Sequence, residues 1–171
     1  QAKALQRAFA RLPHIRFAYT DAGGSTARQI RDVEDFVHRG VDVLLVSPRD
    51  GRAMTPAIAE AFRQDIPVVL LTRRIHSADY TSLIAPDDEA IARRAADFMA
   101  GQLDGHGRVL VLQGLPSTST AIARTRGFEE AMASHPGIRI ASTRPANYLR
   151  SHAIRAVEDA EQPPFVVALA Q

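Results

Sequence analysis

The chain has 171 residues, of which 46% are apolar and 23% charged, and a formal net charge of +2. This composition is close to that of average globular proteins and excludes a disordered chain, while the longest apolar run, residues 67–71, is too short to span a bilayer. The absence of cysteine excludes disulfides, thiol catalysis and cysteine-based metal sites. The basic residues, nearly all Arg, are spread along the chain without interleaved aromatic residues, so we expect no direct contact with nucleic acid.

Apolar residues at helical spacing alternate along the chain with short apolar runs. The spacing predicts helices over residues 1–12, 26–38, 54–64, 90–103, 122–134 and 151–160. The runs predict strands over residues 15–19, 43–46, 68–71, 81–85, 109–112, 138–141 and 165–169. Strands that are apolar at consecutive positions are typical of a parallel sheet that is covered on both faces.

This alternation predicts an α/β fold with two doubly wound parallel-sheet lobes and a ligand cleft between them. The expected lobes are residues 1–85 and residues 86–171, with the chain crossing between them near residues 85–87. Each lobe looks incomplete, because the chain opens on a helix with no preceding strand and stops just after a strand. We therefore expect the sequence to be part of a longer chain.

The most conspicuous polar residues of the first lobe follow its strands. Thr72 and Arg73 come directly after the strand over residues 68–71, and the carboxyl ends of parallel strands face the crevice in which ligands bind. The guanidinium of Arg73 offers five donors to ligand hydroxyl groups, although position alone favours an ordinary solvated Arg at a strand end. Asp87 has the simple interpretation of a helix N-cap, and Asp88 could take that role and leave Asp87 for a ligand.

Two further candidates lie in the second half. A loop rich in hydroxyl groups, residues 115–123, precedes Arg124 and could bind anions or polyols, although it lacks the Gly-Lys-Ser/Thr ending of a phosphate-binding loop. Tyr148 follows the strand over residues 138–141 and could either cover a helix end or stack on a sugar ring.

The sequence offers little for catalysis, metal binding or a cofactor. The six His are single and lie on predicted loops and helix ends, and no Ser lies in a G-x-S-x-G motif. We expect a binding protein with no catalytic residue, metal or cofactor. One enzyme alternative stays open, in which Asp87 or Asp88 is the base and Arg124 the anion clamp for a phosphorylated sugar.

Five segments, taken in order along the chain, resemble the type I periplasmic binding proteins. They are FVHRGVDVLLVSP (36–48), IPVVLLTR (66–73), LIAPDD (83–88), VLQG (111–114) and RTRGFEEA (124–131). The resemblance is to the ribose- and galactofuranose-binding-like branch, whose fold is shared with the effector domains of lac-repressor-type regulators. It implies two lobes that close by hinge motion around a sugar such as a pentose or a furanose-like monosaccharide.

The resemblance also implies ligand-binding roles for the candidates that match the family motifs. These residues are Thr72, Arg73, Asp87, Arg124 and Tyr148. Two positions depart from the ribose binders, since Thr72 replaces an Asp and Asp88 replaces an Asn, and both departures bear on which sugar is bound.

The family resemblance further suggests how the protein is used. The expected partner is the membrane permease of an ABC-type importer, and the expected location is the periplasm, since residues 79–85 and 112–114 look more like the transport-type binders. The alternatives are the effector domain of a lac-repressor-type regulator, which would be cytoplasmic, and the ligand-sensing domain of a transmembrane sensor kinase.

Overall fold

The computed structural model describes residues 2–160 and the backbone of residues 166–170. Its helices are α1 Ala2–Phe9, α2 Thr26–His38, α3 Gly51–Arg63, α4 Asp88–Gln102, α5 Ser119–Met132 and α6 Arg150–Glu158. Its strands are β1 Leu44–Val46, β2 Val68–Leu71, β3 Ser82–Ile84, β4 Gly107–Gln113, β5 Ile138–Pro145 and β6 Val166–Ala170. The last predicted strand began at Phe165, which lies outside the described residues. No helix in the described part of the chain is long and apolar enough to cross a membrane.

The strands form two parallel sheets of three strands each, with the orders β1-β2-β3 and β5-β4-β6. The connection from β1 to β2 crosses over through α3 and that from β4 to β5 through α5, as parallel pairing requires. The α/β fold with parallel sheets that the sequence predicted is thereby confirmed.

Each sheet has its own apolar core. Val33 of α2 and Met54 and Ile58 of α3 pack with Val68 and Leu70 of β2, and we call this unit, with the first sheet, the first lobe. The second lobe is the second sheet with α4, α5 and α6. The lobe boundary at residues 85 and 86 stays a prediction.

The second sheet is covered on both faces. Val109 and Val111 face the core formed by α4 and α5, whereas Leu110 and Leu112 face Ala156 of α6. In the first sheet burial alternates along β2, so that Val68 and Leu70 are fully buried while Val69 and Leu71 are only partly buried. Among the described residues, α2 and α3 pack tightly on the face of the first sheet that carries Val68 and Leu70.

The predicted strand over residues 15–19 is wrong. Residues 15–19 form no strand, and Ile15 and Tyr19 are exposed. Instead, the ring of Phe17 stacks on that of Phe9 of α1, with 4.8 Å between ring centroids. A strand needs a neighbour to hydrogen-bond its backbone, and none of the described strands pairs with this segment. The apolar pattern alone could not show that the partner was missing.

Side-chain caps explain why two helices begin three residues earlier than their apolar spacing predicts. Asp50 accepts hydrogen bonds from the backbone N–H groups of Arg52 and Ala53, at 3.0 and 2.9 Å, and starts α3 at Gly51. Thr118 accepts one from the N–H of Ala121, at 3.2 Å, and starts α5 at Ser119. The caps satisfy N–H groups that have no partner within the helix.

Helices α4 and α5 approach each other closely at Gly127. A Cβ atom at this position would lie 2.4 Å from the carbonyl oxygen of Glu89, which is well inside van der Waals contact. Around this contact Arg93 bridges Glu89 and Glu130, at 2.6 and 3.0 Å, on the solvent side of the two helices. The close backbone approach and the ion pairs fix α5 against α4, and with it Arg124, which lies on α5.

Candidate functional site

Arg73 and Tyr148 meet between the two lobes. Arg73 follows β2 of the first lobe, Tyr148 follows β5 of the second, and the guanidinium carbon lies 5.5 Å from the centroid of the Tyr148 ring. This distance is within the range of a cation–π contact. Two of the five predicted site residues, far apart in the sequence, are thus brought together at the carboxyl ends of the two sheets.

Most of the hydrogen-bonding capacity of Arg73 is unused. Among the described residues its side chain makes one hydrogen bond, a long one of 3.4 Å from Nη1 to the carbonyl of Pro48. Burial lowers the pKa of the guanidinium; Tyr148 opposes this shift, and the neighbouring Arg49 adds to it. A partly desolvated cation with free donors is disposed to bind hydroxyl oxygens, because each bond would replace hydration already lost.

Thr72 occupies a left-handed backbone conformation at the end of β2, with a φ of 64°. Its N–H donates to the carbonyl of Ile84 at 2.8 Å, which keeps it attached to β3. Its hydroxyl donates to the carbonyl of Leu71 at 2.7 Å and lies 3.3 Å from the hydroxyl of Ser47. The left-handed turn ends the strand and turns the chain toward the second lobe at Arg73.

Tyr148 is positioned by an unusual turn after β5. Asn147 and Tyr148 both have positive φ values, 54° and 60°, which are uncommon for residues with side chains. The carbonyl of Gln113 accepts hydrogen bonds from the N–H groups of Ala146 and Asn147, at 2.7 and 3.3 Å, and so ties the turn to the end of β4. The strained turn is thus held by the neighbouring strand, and it presents the ring of Tyr148 to Arg73.

Sequence reasoning missed two residues that support Tyr148. The hydroxyl of Thr118, which is almost fully buried, lies 3.2 Å from that of Tyr148 and donates to the carbonyl of Leu115 at 2.8 Å. Gly114 lies under the ring, and a Cβ there would come within 2.3 Å of the Tyr148 Cζ atom. The hydroxyl-rich loop and the glycine that follows β4 were visible in the sequence, but their contact with Tyr148 was not.

Gly114→Ala tests this support. The added methyl group can be accommodated only if the Tyr148 ring moves, and moving the end of a side chain costs little stability. We expect the affinity for the ligand to fall about tenfold or more, with a loss in unfolding free energy of about 1 kcal/mol or less. Titration calorimetry and thermal unfolding measure the two quantities. Unchanged affinity would show that the position of the Tyr148 ring does not matter for binding.

Asp87 caps α4. Its Oδ1 accepts a hydrogen bond from the N–H of Ala90 at 2.9 Å, so the capping role falls to Asp87 and not to Asp88. No hydrogen bond to Oδ2 occurs among the described residues, and Asp87 is exposed. The cap uses one carboxylate oxygen, and the other is still able to accept a hydrogen bond. The ligand-binding role of Asp87 stays a prediction.

Arg124 pairs with Asp88. Its Nε and Nη2 atoms lie 2.9 and 2.8 Å from Asp88 Oδ1, and the Asp88 side chain is only 8% exposed. The pair joins α5 to the first turn of α4, where a carboxylate also interacts favourably with the helix dipole. Nη1 of Arg124 has no protein partner among the described residues. The ion pair therefore orients Arg124, whose ligand-binding role stays a prediction, and no hydrogen bond connects the pair to Arg73 or Tyr148.

The described residues contain no cluster of three or more His, Asp or Glu that could hold a metal ion. Within the site, Asp87 is a helix cap and Asp88 an ion-pair partner of Arg124, so both carboxylates of the enzyme alternative already have structural roles. What the arrangement offers is a cation, an aromatic ring face and hydroxyl groups, which are the groups that bind polar ring compounds.

Comparison with known proteins identifies the family. The model of the periplasmic binding protein domain matches residues 1–169, almost the whole chain. The chain belongs to this family. The members of this family are binding proteins. The predicted resemblance to the ribose- and galactofuranose-binding-like branch is confirmed.

Individual relatives agree with this assignment. The chain is 32% identical over 139 residues to the ribose import binding protein RbsB of Haemophilus influenzae, covering 81% of this chain and 47% of the relative. It is 30% identical over 148 residues to the galactofuranose-binding protein YtfQ of Escherichia coli, covering 84% and 46%. A solved structure of the fructose-binding periplasmic domain of a hybrid two-component system is 29% identical, with a TM-score of 0.92, and the match covers 98% of this chain and 57% of that one. The chain thus spans about half the length of the curated relatives that it matches.

Proposed function

We propose that this periplasmic binding protein domain captures a small sugar or polyol between its two lobes. The observation that carries the proposal is the approach of Arg73 from the first lobe to the ring of Tyr148 from the second, 5.5 Å away. A sugar ring has apolar C–H faces that pack on an aromatic ring and hydroxyl groups that accept from a guanidinium. A ligand that contacts both Arg73 and Tyr148 would contact both lobes at once.

Binding of this kind favours a closed arrangement of the lobes. A ligand that contacts both lobes stabilises the state in which they lie together, and the equilibrium shifts by as much as its affinities for the two states differ. Asp87 stands at the start of α4, directly after the chain leaves β3 of the first lobe for the second lobe. Its free oxygen and Nη1 of Arg124 are the proposed further ligand contacts, together with Thr72.

The partner that we propose is the permease of an ABC-type importer, with the protein in the periplasm. The relatives described as import binding proteins support this role. A sensor role is the second candidate, because the hybrid two-component domain matches 98% of the chain. Loss of sugar uptake on deletion of the gene would support the importer role, whereas sugar-dependent phosphotransfer without an uptake defect would support the sensor role.

A thermal-shift screen of the full-length chain tests the binding proposal. The ligands are pentoses, hexoses, furanose-rich sugars and polyols. A sugar held at about 100 times its dissociation constant should stabilise the folded state by about 2.7 kcal/mol, which a thermal shift detects easily. We expect one class of ligand to raise the unfolding temperature. If none does, a sugar or polyol is not the ligand of this cleft.

A further inference from the structure

The first turn of α5 contacts the first lobe on both sides of Arg73. The N–H of Arg74 donates to Oγ of Ser119 at 2.9 Å, and Oγ1 of Thr120 donates to the carbonyl of Thr72 at 3.2 Å. Ser119 and Thr120 belong to the first turn of α5 in the second lobe, while the groups that they contact are backbone atoms of the first lobe. Both hydrogen bonds join atoms of one lobe directly to atoms of the other, so neither contact depends on a ligand.

We propose that Ser119 and Thr120 are positioning residues that latch the two lobes together and hold the backbone of Arg73 in place for the ligand. The proposal rests on the proposed function and deepens it, because it names the residues that control the closing of the two lobes. Ser119 accepts its hydrogen bond and Thr120 donates its own. The two contacts therefore fix the chain before and after Arg73 in one orientation. The left-handed conformation of Thr72 turns its carbonyl toward this loop.

The neighbouring contacts explain why the latch acts on the ligand site. Thr118, one residue earlier in the loop, caps α5 and reaches the hydroxyl of Tyr148. Three consecutive hydroxyl residues therefore contact the two sides of the proposed site, Thr118 on the side of Tyr148 and the other two on the side of Arg73. The sequence suggested that this loop binds the ligand itself, but the structure uses three of its hydroxyl groups to position the residues that would do so.

The latch predicts that the closed state is populated before the sugar arrives. An open protein must close at a cost, and its apparent affinity falls by the fraction that is competent to bind. Each hydrogen bond lost should reduce the ratio of closed to open molecules by about 2- to 12-fold. The affinity should fall by a similar factor once the closed state is the minority, mainly through faster dissociation, because opening releases the ligand.

The test measures the distance between lobes in the full-length chain. The sequence has no cysteine, so one labelling cysteine per lobe, Arg31→Cys on α2 and Glu158→Cys on α6, gives a specific spin- or dye-labelled pair. Both positions are exposed. The distance distribution without sugar reports the closed population, and stopped-flow measurements with the stabilising sugar report association and dissociation rates.

We expect Ser119→Ala and Thr120→Val to shift the sugar-free distribution toward longer distances and to raise the dissociation rate. Thr120→Ser and Ser119→Thr, which keep the hydroxyl group, should restore the parent distribution. Ser117→Ala removes an exposed hydroxyl from the same loop and is the matched control. The cap of α5 is Thr118, so the unfolding temperature should change little in all of these variants.

The outcomes separate the latch from the binding function. A sugar-free distribution that is identical in the parent chain and the Ser119→Ala, Thr120→Val double variant would overturn the latch, whatever the sugar does. A distribution that shifts in the double variant but never responds to any sugar would support the latch and contradict the proposed function.

Discussion

Replacing Arg73 by Ala should abolish most of the affinity for the sugar while leaving the protein folded. Hydrogen bonds to charged groups contribute about 1.5–3 kcal/mol each, so losing two of them would raise the dissociation constant by about 100-fold or more. The unfolding free energy should change by less than about 1 kcal/mol, because the only hydrogen bond of the side chain among the described residues is the 3.4 Å bond to the Pro48 carbonyl. Titration calorimetry and thermal unfolding measure the two effects.

Arg52→Ala is the matched control for this experiment. Arg52 is an exposed Arg of the same lobe, in the first turn of α3, and its side chain makes no hydrogen bond with the described residues. The substitution Arg52→Ala removes the same charge without changing the cleft, so the variant should bind the sugar with the affinity of the parent protein. A dissociation constant within about threefold of the parent in Arg73→Ala would contradict the central role of Arg73.

The second large effect is on stability, and it comes from Arg124→Ala. The substitution leaves the carboxylate of Asp88, which is 8% exposed, without its partner. Removing one member of a buried pair costs about 3–5 kcal/mol, and since Arg124 is 22% exposed we expect the lower end, about 3 kcal/mol. Denaturant unfolding without sugar measures this loss.

The charge of Asp88 should account for most of that loss. In an Asp88→Asn background no buried charge is left unpaired, so Arg124→Ala should then cost about 1 kcal/mol, and the double-mutant cycle should give a coupling of about 2 kcal/mol. Arg126→Ala on the same helix is the control, since Arg126 is 62% exposed and its pair with Glu89 should contribute less than about 1 kcal/mol. Equal losses for Arg124→Ala and Arg126→Ala would refute the special role of the buried pair.

Much of the fold followed from the sequence because periodicity and length decide between helix and strand. The helix over residues 26–38 was predicted with its observed bounds, and so was the strand over residues 68–71. The wrong strand at residues 15–19 has a physical reason. A strand exists only when another strand pairs with it, and a local pattern carries no information about that partner.

The site was harder to predict, because it depends on contacts between distant residues. Arg73 and Tyr148 could be selected singly by their place after strands, yet their approach follows from the left-handed turns at Thr72 and Tyr148, which no propensity favours for these residues. Asp87 and Asp88 are adjacent and chemically alike. Only the position of Arg124 on α5 decides that the second of them is the one held in an ion pair.

The close approach of α4 and α5 at Gly127 has a consequence for comparisons across the family. No side chain fits between this position and the carbonyl of Glu89, so the spacing of the two helices and the identity of residue 127 are linked. Any relative that carries a larger residue here must hold these helices further apart. A single alignment column therefore reports an interhelical distance, and through it the placement of the loop that precedes α5.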